Sequence, residues 1–305
     1  MKALPRVTIG LPVYNGEAFL SQALDSMFAQ TYSDFELIIS DNASTDKTEE
    51  ICREYAAQDR RIRYSRNSVN IGVDRNFNRT CELARGEYFR WGAADDLCAP
   101  TLLERCAEVL DRRPEVILCY PKSRYIDEHG MFVRDYEDRL HLDAPEPNRR
   151  FSRYLWNVHM CNAVFGLIRT SVLRQTKLFG VYSDSDIVFL GELVLHGCFF
   201  ELPEILFSRR IHPGIAVMKL PTPHERMAMS EPTRAGRLWF PHWKVLAGFL
   251  SAIHRAPLSW IERLLCYTRM HVWLRRWGNG LSADLKFALR YFLRISPQSA
   301  DRIGS

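Results

Sequence analysis

The sequence predicts an α/β fold: a mostly parallel sheet flanked by helices, then a less regular middle region and a C-terminal helical extension. Three observations predict it. Short apolar runs of strand character alternate with stretches of helical period from Val7 to Tyr120. Predicted strands end in polar residues, at Tyr14-Asn15, Asp41-Asn42 and Asp95-Asp96. Hydrophobic residues make up 47% and charged residues 25% of the 305, the balance of a globular chain with a sizeable core.

The elements follow in order. Val7–Leu11 reads as a strand ended by Pro12, and Glu17–Gln30 repeats its apolar residues at helical spacing. Phe35–Ser40 is a second strand. Asp46, with Glu49 three residues on, reads as a capping pair that opens a helix to Ala57. Ile62–Ser65 is a short strand, Asn70-Ile71-Gly72 a turn, and Asn76–Ala84 a helix closed by Gly86. Glu87–Trp91 is a strand, Pro100 opens a helix to Arg112, and Val116–Tyr120 is a fifth strand. The polar, turn-rich stretch from Ser123 to Asn148 reads as a boundary. Beyond it come a strand at Val164–Ile168, a helix at Ser185–His196, and separate short strands at Phe199–Leu202 and Ile205–Ile211. From Trp239 to Leu293 the pattern is that of amphipathic helices interrupted by Pro257 and by Gly278-Asn279-Gly280. The division expected is 1–122, 123–233 and 234–305.

The formal net charge of +5 is uneven: from Arg234 onward twelve Lys/Arg stand against three Asp/Glu. The basic extension is therefore where an anionic surface would be met, although a solvated helical face explains it equally well. Eight cysteines form no CxxC pair and no zinc-like spacing, so they read as core thiols in a reducing compartment. The N-terminus runs straight into a strand, and the apolar run Val245–Ile253 is far short of a membrane span. The expectation is a cytoplasmic protein, with a peripheral contact at the inner face of the membrane through the C-terminal helices. No GxGxxG, GxxxxGK[ST], GxSxG or HExxH motif occurs. What remains is a site that holds a diphosphate through a metal.

Asp95-Asp96 follows an apolar strand, and adjacent carboxylates repel unless a cation sits with them. Oxygen ligands of this kind suit Mn²⁺ or Mg²⁺ shared with a substrate's phosphates. Taken alone, the pair reads more readily as a helix cap with a neighbouring first-turn acid. Asp41 at a second strand end favours the cation, because it can point into the same crevice. In the turn Pro12-Val13-Tyr14-Asn15-Gly16-Glu17, Tyr14 offers a ring for a base and Asn15 an amide for its edge.

In this order and spacing, Pro12-Val13-Tyr14-Asn15, Asp41-Asn42-Ala43-Ser44-Thr45-Asp46, Asn70-Ile71-Gly72 and Asp95-Asp96 resemble the donor half of a family 2 glycosyltransferase. The resemblance is strong over the first two-fifths of the chain and looser to about Pro213. It implies the GT-A fold, a Rossmann-like sheet, and an inverting, non-processive enzyme. It implies that Pro12, Tyr14 and Glu17 line the nucleotide pocket and that Asp41 contacts base or ribose. Asn70 and Arg75 would lie by the ribose or diphosphate. Asp95 and Asp96 would match the end of the family's DxD metal motif, whose first acid is here Ala93. On the acceptor side Asp186 is the expected catalytic base and Asp184 the runner-up. Arg209, Arg210 and His212 resemble a late basic motif that would hold the diphosphate or a mobile lid.

The expected activity is transfer of one sugar from a UDP-, GDP- or dTDP-sugar to a glycan or lipid-linked acceptor, in cell-surface polysaccharide or glycoconjugate assembly. The QxxRW motif and membrane spans of processive synthases are missing, and no nucleic-acid partner is expected. Two rival readings remain: a nucleotidyltransferase, and a non-catalytic nucleotide-sugar binding protein.

Overall fold

The computed structural model describes residues 4–214, 220, 222–234 and 237–293. The strands are β1 (Val7–Val13), β2 (Phe35–Asp41), β3 (Ile62–Arg66), β4 (Tyr88–Trp91), β5 (Leu97–Cys98), β6 (Val116–Ile126), β7 (Phe132–Tyr136), β8 (Leu167–Arg169) and β9 (Cys198–Arg210). They form one sheet in the order β3-β2-β1-β4-β8-β6-β9-β5, with β7 paired to β6. The pairs β3-β2, β2-β1, β1-β4 and β6-β9 are parallel, and β8 runs antiparallel between β4 and β6. The expected α/β class with a mostly parallel sheet is what the chain adopts.

Alternation along the strands sorts the core into two layers. Val7, Ile9 and Leu11 of β1 and Tyr88 of β4 face one apolar cluster, together with α1 (Leu20–Phe28), α2 (Thr48–Gln58) and α4 (Leu102–Arg112). Phe89 and Trp91 face the other, with α5 (Pro147–Asn157), α7 (Ser185–His196) and the helices that follow. On this second face α3 (Val73–Glu82) crosses β1 at Gly10, where a Cβ would stand 2.5 Å from Thr80 Oγ1. A short α6 (Thr170–Leu173) and α8 (Pro223–Ser230) connect these parts. The chain ends in α9 (Pro241–Arg255) and α10 (Trp260–Phe292).

Several elements differ from the sequence expectations. Pro12 does not end β1, which runs on to Val13 beside β2. Gly10 O accepts from Gly92 N on the β4 side and Val13 O accepts from Asn42 N on the β2 side. The missing N–H of Pro12 therefore falls where β4 has already stopped, so no ladder bond is lost. The stretch from Ser123 is not a polar boundary: β6 continues to Ile126 and turns into β7. The 122/123 division thus falls inside a strand. The two strands expected at 199–211 are one, β9, whose register against β6 shifts near Pro203. Asp46 does not cap α2 by a reciprocal box with Glu49. Lys47 holds the cap position, Asp46 accepts from Thr48 N, and Glu49 pairs with Arg53.

Gly278-Asn279-Gly280 does not interrupt a helix; α10 passes through it unbroken for 33 residues. Gly280 is there for space. A Cβ would lie 2.1 Å from the ring of His242, which Asp284 fixes by a 2.8 Å bond to Nδ1. At Gly278 a Cβ would meet nothing within 4 Å. Gly278→Ala should therefore stabilise the protein by about 0.5–1 kcal/mol through helix propensity, whereas Gly280→Ala should lower the melting temperature. Thermal melts of the two variants test this, and equal shifts would refute it.

Candidate active site

The site grows from the loops beyond the carboxyl ends of β1, β2 and β4. Asn15, held at φ 50°, donates its N–H to Ser44 Oγ at 3.0 Å and accepts from Thr45 N at 2.8 Å. Gly16 N donates to Thr48 Oγ1, Glu17 N to Asp46 Oδ2, and Lys47 N returns a bond to Glu17 Oε2. The first two loops are thus sewn together residue by residue. Beneath them Asn42, Asn67, Asn70 and Asn76 form an amide network. Asn42 Nδ2 donates to Asn70 Oδ1 at 2.8 Å, and Asn67 Nδ2 to both Asn42 Oδ1 and Asn76 Oδ1. Gly72, at φ 89°, opens α3, and a Cβ there would sit 2.2 Å from Ser230 O. Only glycine meets both demands.

Asp41 ends β2 as expected, but its carboxylate is turned inward and fully covered. Oδ1 accepts from Ser44 N at 2.8 Å, and Oδ2 from Tyr64 Oη at 2.9 Å and Arg66 at 2.8 Å. Burial by itself would raise this carboxyl's pKa; the bonds from Ser44, Tyr64 and Arg66 outweigh it and hold the group below its usual value. From this turn it is Asn42 that faces the open cleft.

That cleft has a volume of about 660 Å³ and is lined by Pro12, Tyr14, Asn15, Asn70, Asp95 and His212 among others. Tyr14 is half exposed on its wall. Asp95 Oδ2 lies 3.1 Å from His212 Nε2, and the imidazole packs against Phe19 at a tilt of 57°, ring centroids 4.8 Å apart. Asp96, expected beside it, points the other way. It is buried, and its Oδ1 accepts from Arg210 N at 2.8 Å. Burial first, then the charge of Asp95, raise its pKa. Of the adjacent acids, Asp95 is the one turned to the cleft.

A carboxylate oxygen and an imidazole nitrogen about 3 Å apart match two neighbouring ligands of one hard cation with bonds of about 2.1 Å. No cluster of three or more His, Cys, Asp or Glu able to hold a metal occurs among the described residues. Such an ion would complete its shell with substrate phosphates and water, as Mg²⁺ and Mn²⁺ readily do.

A second cavity of about 300 Å³ abuts the first, and Val73, Phe77 and Met229 line both. It contains Asp184, Asp186, Asp74, Arg209 and Arg226. Asp184 sits at the N-cap position of α7 in left-handed backbone (φ 64°) without a capping bond, and it pairs with Arg226 at 3.1 Å. Asp186 lies in the first turn of α7, its Oδ1 accepting from Ile187 N at 2.9 Å. Burial, and after it the charge of Asp184, push the Asp186 carboxyl up to about 6. Asp74, at the start of α3, is likewise pushed up by burial, to about 7, against the Ser230 and Ser185 hydroxyls.

The remaining expected residues do not meet in the cleft. Glu17 spends its carboxylate on Lys47 N and does not line the cleft. Arg75 turns away to Glu231 at 2.9 Å and to Ile71 O. Arg210 is 1% exposed, its donors taken by Asp95 O, Asp127 O, Glu128 O and Gln22 Oε1. Arg209 belongs to the second cavity, bonded to Met160 O and Asn162. Of the late basic motif only His212 reaches the larger cleft.

One piece of the site was not anticipated. The helix α8 brings Ala228 and Met229 over the cavities. Its signal was present in Thr222-Pro223-His224-Glu225: a capping box closes between Thr222 and Glu225, with Pro at the first turn.

Comparison with known proteins adds to this geometry. The model of glycosyl transferase family 2 matches residues 8–176. An abequosyltransferase of Salmonella typhimurium is 30% identical over 199 residues, 62% of this chain and 58% of that protein. An uncharacterised glycosyltransferase of Methanocaldococcus jannaschii is 26% identical over 57% of the chain and 59% of its own length. The chain thus spans less than two thirds of these relatives. Among solved structures, Staphylococcus aureus TarS 1-349 in complex with UDP-GlcNAc superposes with a TM-score of 0.67 at 18% identity, over 91% of this chain and 75% of that one. A mannosyltransferase from Pyrobaculum calidifontis, in complex with GDP-Man and Mn²⁺, gives 0.54 at 17% identity over 97% and 89%.

The two acids should separate by experiment. Asp95→Ala should remove any Mn²⁺-dependent rise in melting temperature with UDP or GDP and leave the unliganded protein's melting temperature nearly unchanged. Asp96→Ala should lower the unliganded melting temperature, because Arg210 N loses its buried partner. The reverse pattern in a thermal-shift titration would overturn the assignment.

Proposed function

Because the chain belongs to glycosyl transferase family 2, we propose that it transfers a single sugar from a nucleoside-diphosphate sugar to an acceptor hydroxyl, with inversion. One observation carries the reading: two abutting cavities, one holding the Asp95–His212 pair and the other a carboxylate whose pKa is pushed up to about 6. The donor would occupy the larger. There Tyr14 offers a face for the base, and the amide network keeps the loops in place before substrate arrives. Asp95 and His212 would hold a divalent cation, Mn²⁺ or Mg²⁺, which when bound supplies charge neutralisation for the departing diphosphate.

The acceptor would enter the smaller cavity. Asp186 takes the proton of its hydroxyl while that oxygen forms a bond to the anomeric carbon and the bond to the diphosphate breaks. Attack from the side opposite the leaving group inverts the carbon. A base raised to about 6 suits this task, being ionised near neutral pH yet more basic than an ordinary carboxylate. Asp184 supports it from the N-cap of the same helix, in part by keeping its pKa high. Family membership speaks against the nucleotidyltransferase rival. The acceptor is a glycan or a lipid-linked saccharide, consistent with a role in cell-surface polysaccharide or glycoconjugate assembly.

Asp186→Asn should lower transfer by about 10²- to 10⁴-fold and leave nucleotide binding intact; normal transfer would exclude it as the base. The pH profile gives a second check. A base works only when deprotonated, so kcat/KM should rise with pH and level off above about 6. Asp184→Asn removes a neighbouring negative charge, so the acid limb should move to lower pH. A limb that stays put, or moves up, contradicts the coupling.

A further inference from the structure

Along α10, at 100° per residue, Trp260, Leu264, Leu274, Leu285, Leu289 and Phe292 fall on one stripe roughly 80° wide. All are between 46% and 73% exposed. Arg275, Lys286 and Arg290, exposed as well, flank the stripe along one side. The helix carries six Lys/Arg and two carboxylates, and neither acid lies on the stripe. Glu262 is tied into the capping box of Ser259, and Asp284 is fully buried against His242. The opposite side, with Cys266, Met270 and Trp273, packs into the core.

From this we propose that α10 lies flat on an anionic lipid surface, its apolar stripe in the acyl boundary and its cations among the headgroups. An apolar stripe with cations along one flank and no acid on it is the pattern of an interfacial helix. A second copy of the chain fits less well. Two such faces would bring the same cations together with no carboxylate opposite them, and His271, Gly278 and Ser282 break the seam a coiled coil needs. No helix among the described residues is long and apolar enough to cross a membrane, so the contact runs along the surface.

The placement has a consequence for the site. Phe287 of α10 packs at 4.1 Å between ring centroids against His224 of α8, the helix whose Met229 lines both cavities. The lipid-bound helix is thus one element away from the acceptor cavity, a position suited to an acceptor that is itself held in a membrane. The lipid contact does not depend on the transferase reading, and either can fail without the other.

The test is sedimentation of the full chain with sucrose-loaded vesicles of phosphatidylcholine, with or without about 30 mol% phosphatidylglycerol. Binding should be about tenfold stronger to the anionic vesicles and should weaken at about 0.5 M salt. Leu285→Asp with Leu289→Asp should reduce it about tenfold, and so should Lys286→Glu with Arg290→Glu, with melting temperature and donor hydrolysis unchanged. The charge variant guards against misfolding of the apolar one. Absence of binding to anionic vesicles, or equal binding by both variants and the parent, overturns the proposal. So does a dimer in light scattering that both variants dissolve, which would assign the stripe to a second copy.

Discussion

The site depends on one buried guanidinium. Arg210, at the end of β9, reaches back under the β4–β5 loop and binds Asp95 O, while its own N–H binds Asp96. Its other donors hold Asp127 O, Glu128 O and Gln22, and its plane lies 4.6 Å over Phe19. A buried cation tolerates its loss of water only when its donors are satisfied. Here three separate segments, the β4–β5 loop, the β6–β7 turn and the start of α1, satisfy it, so they are locked in one arrangement. That arrangement sends Asp96 inward and Asp95 outward, and it sets His212, two residues on, beside Asp95.

Around this anchor the chemistry divides between two cavities with a shared wall. On one side the loops are braced by amides, hydroxyls and backbone N–H groups, and little there must move to receive a ligand. On the other side three carboxylates crowd the start of α7 and α3, and burial with mutual repulsion raises two of them. Low-pKa and high-pKa carboxylates are therefore sorted by their surroundings. Asp41 is supplied with donors and is held below its usual value, whereas Asp186, with Ile187 N as its donor and Asp184 beside it, is pushed up.

The basic C-terminal part carries a parallel lesson about charge. Its cations are not evenly solvated. Arg276 is spent on the carbonyls of Leu155, Trp156 and Val158, and Arg255 on Glu192, both holding helices to the body. The exposed remainder along α10 gathers beside apolar residues. Composition counts these arginines alike, and only packing separates a structural cation from a surface one.

By itself the sequence determined the α/β alternation, the helix Ser185–His196 and the family resemblance, because these rest on local periodicity and on turn residues close together in the chain. It also singled out Asp95, His212, Tyr14, Asn70 and Asp186, all of which face a cavity. Tertiary structure decided the rest. Arg75, Arg210 and Glu17 look like ligands in sequence, yet distant or neighbouring loops consume their charges. Gly278-Asn279-Gly280 looks like a break, yet the helix needs Gly280 for the ring of His242, thirty-eight positions earlier. Which way a polar side chain points depends on partners far away in the chain, and no local pattern encodes them.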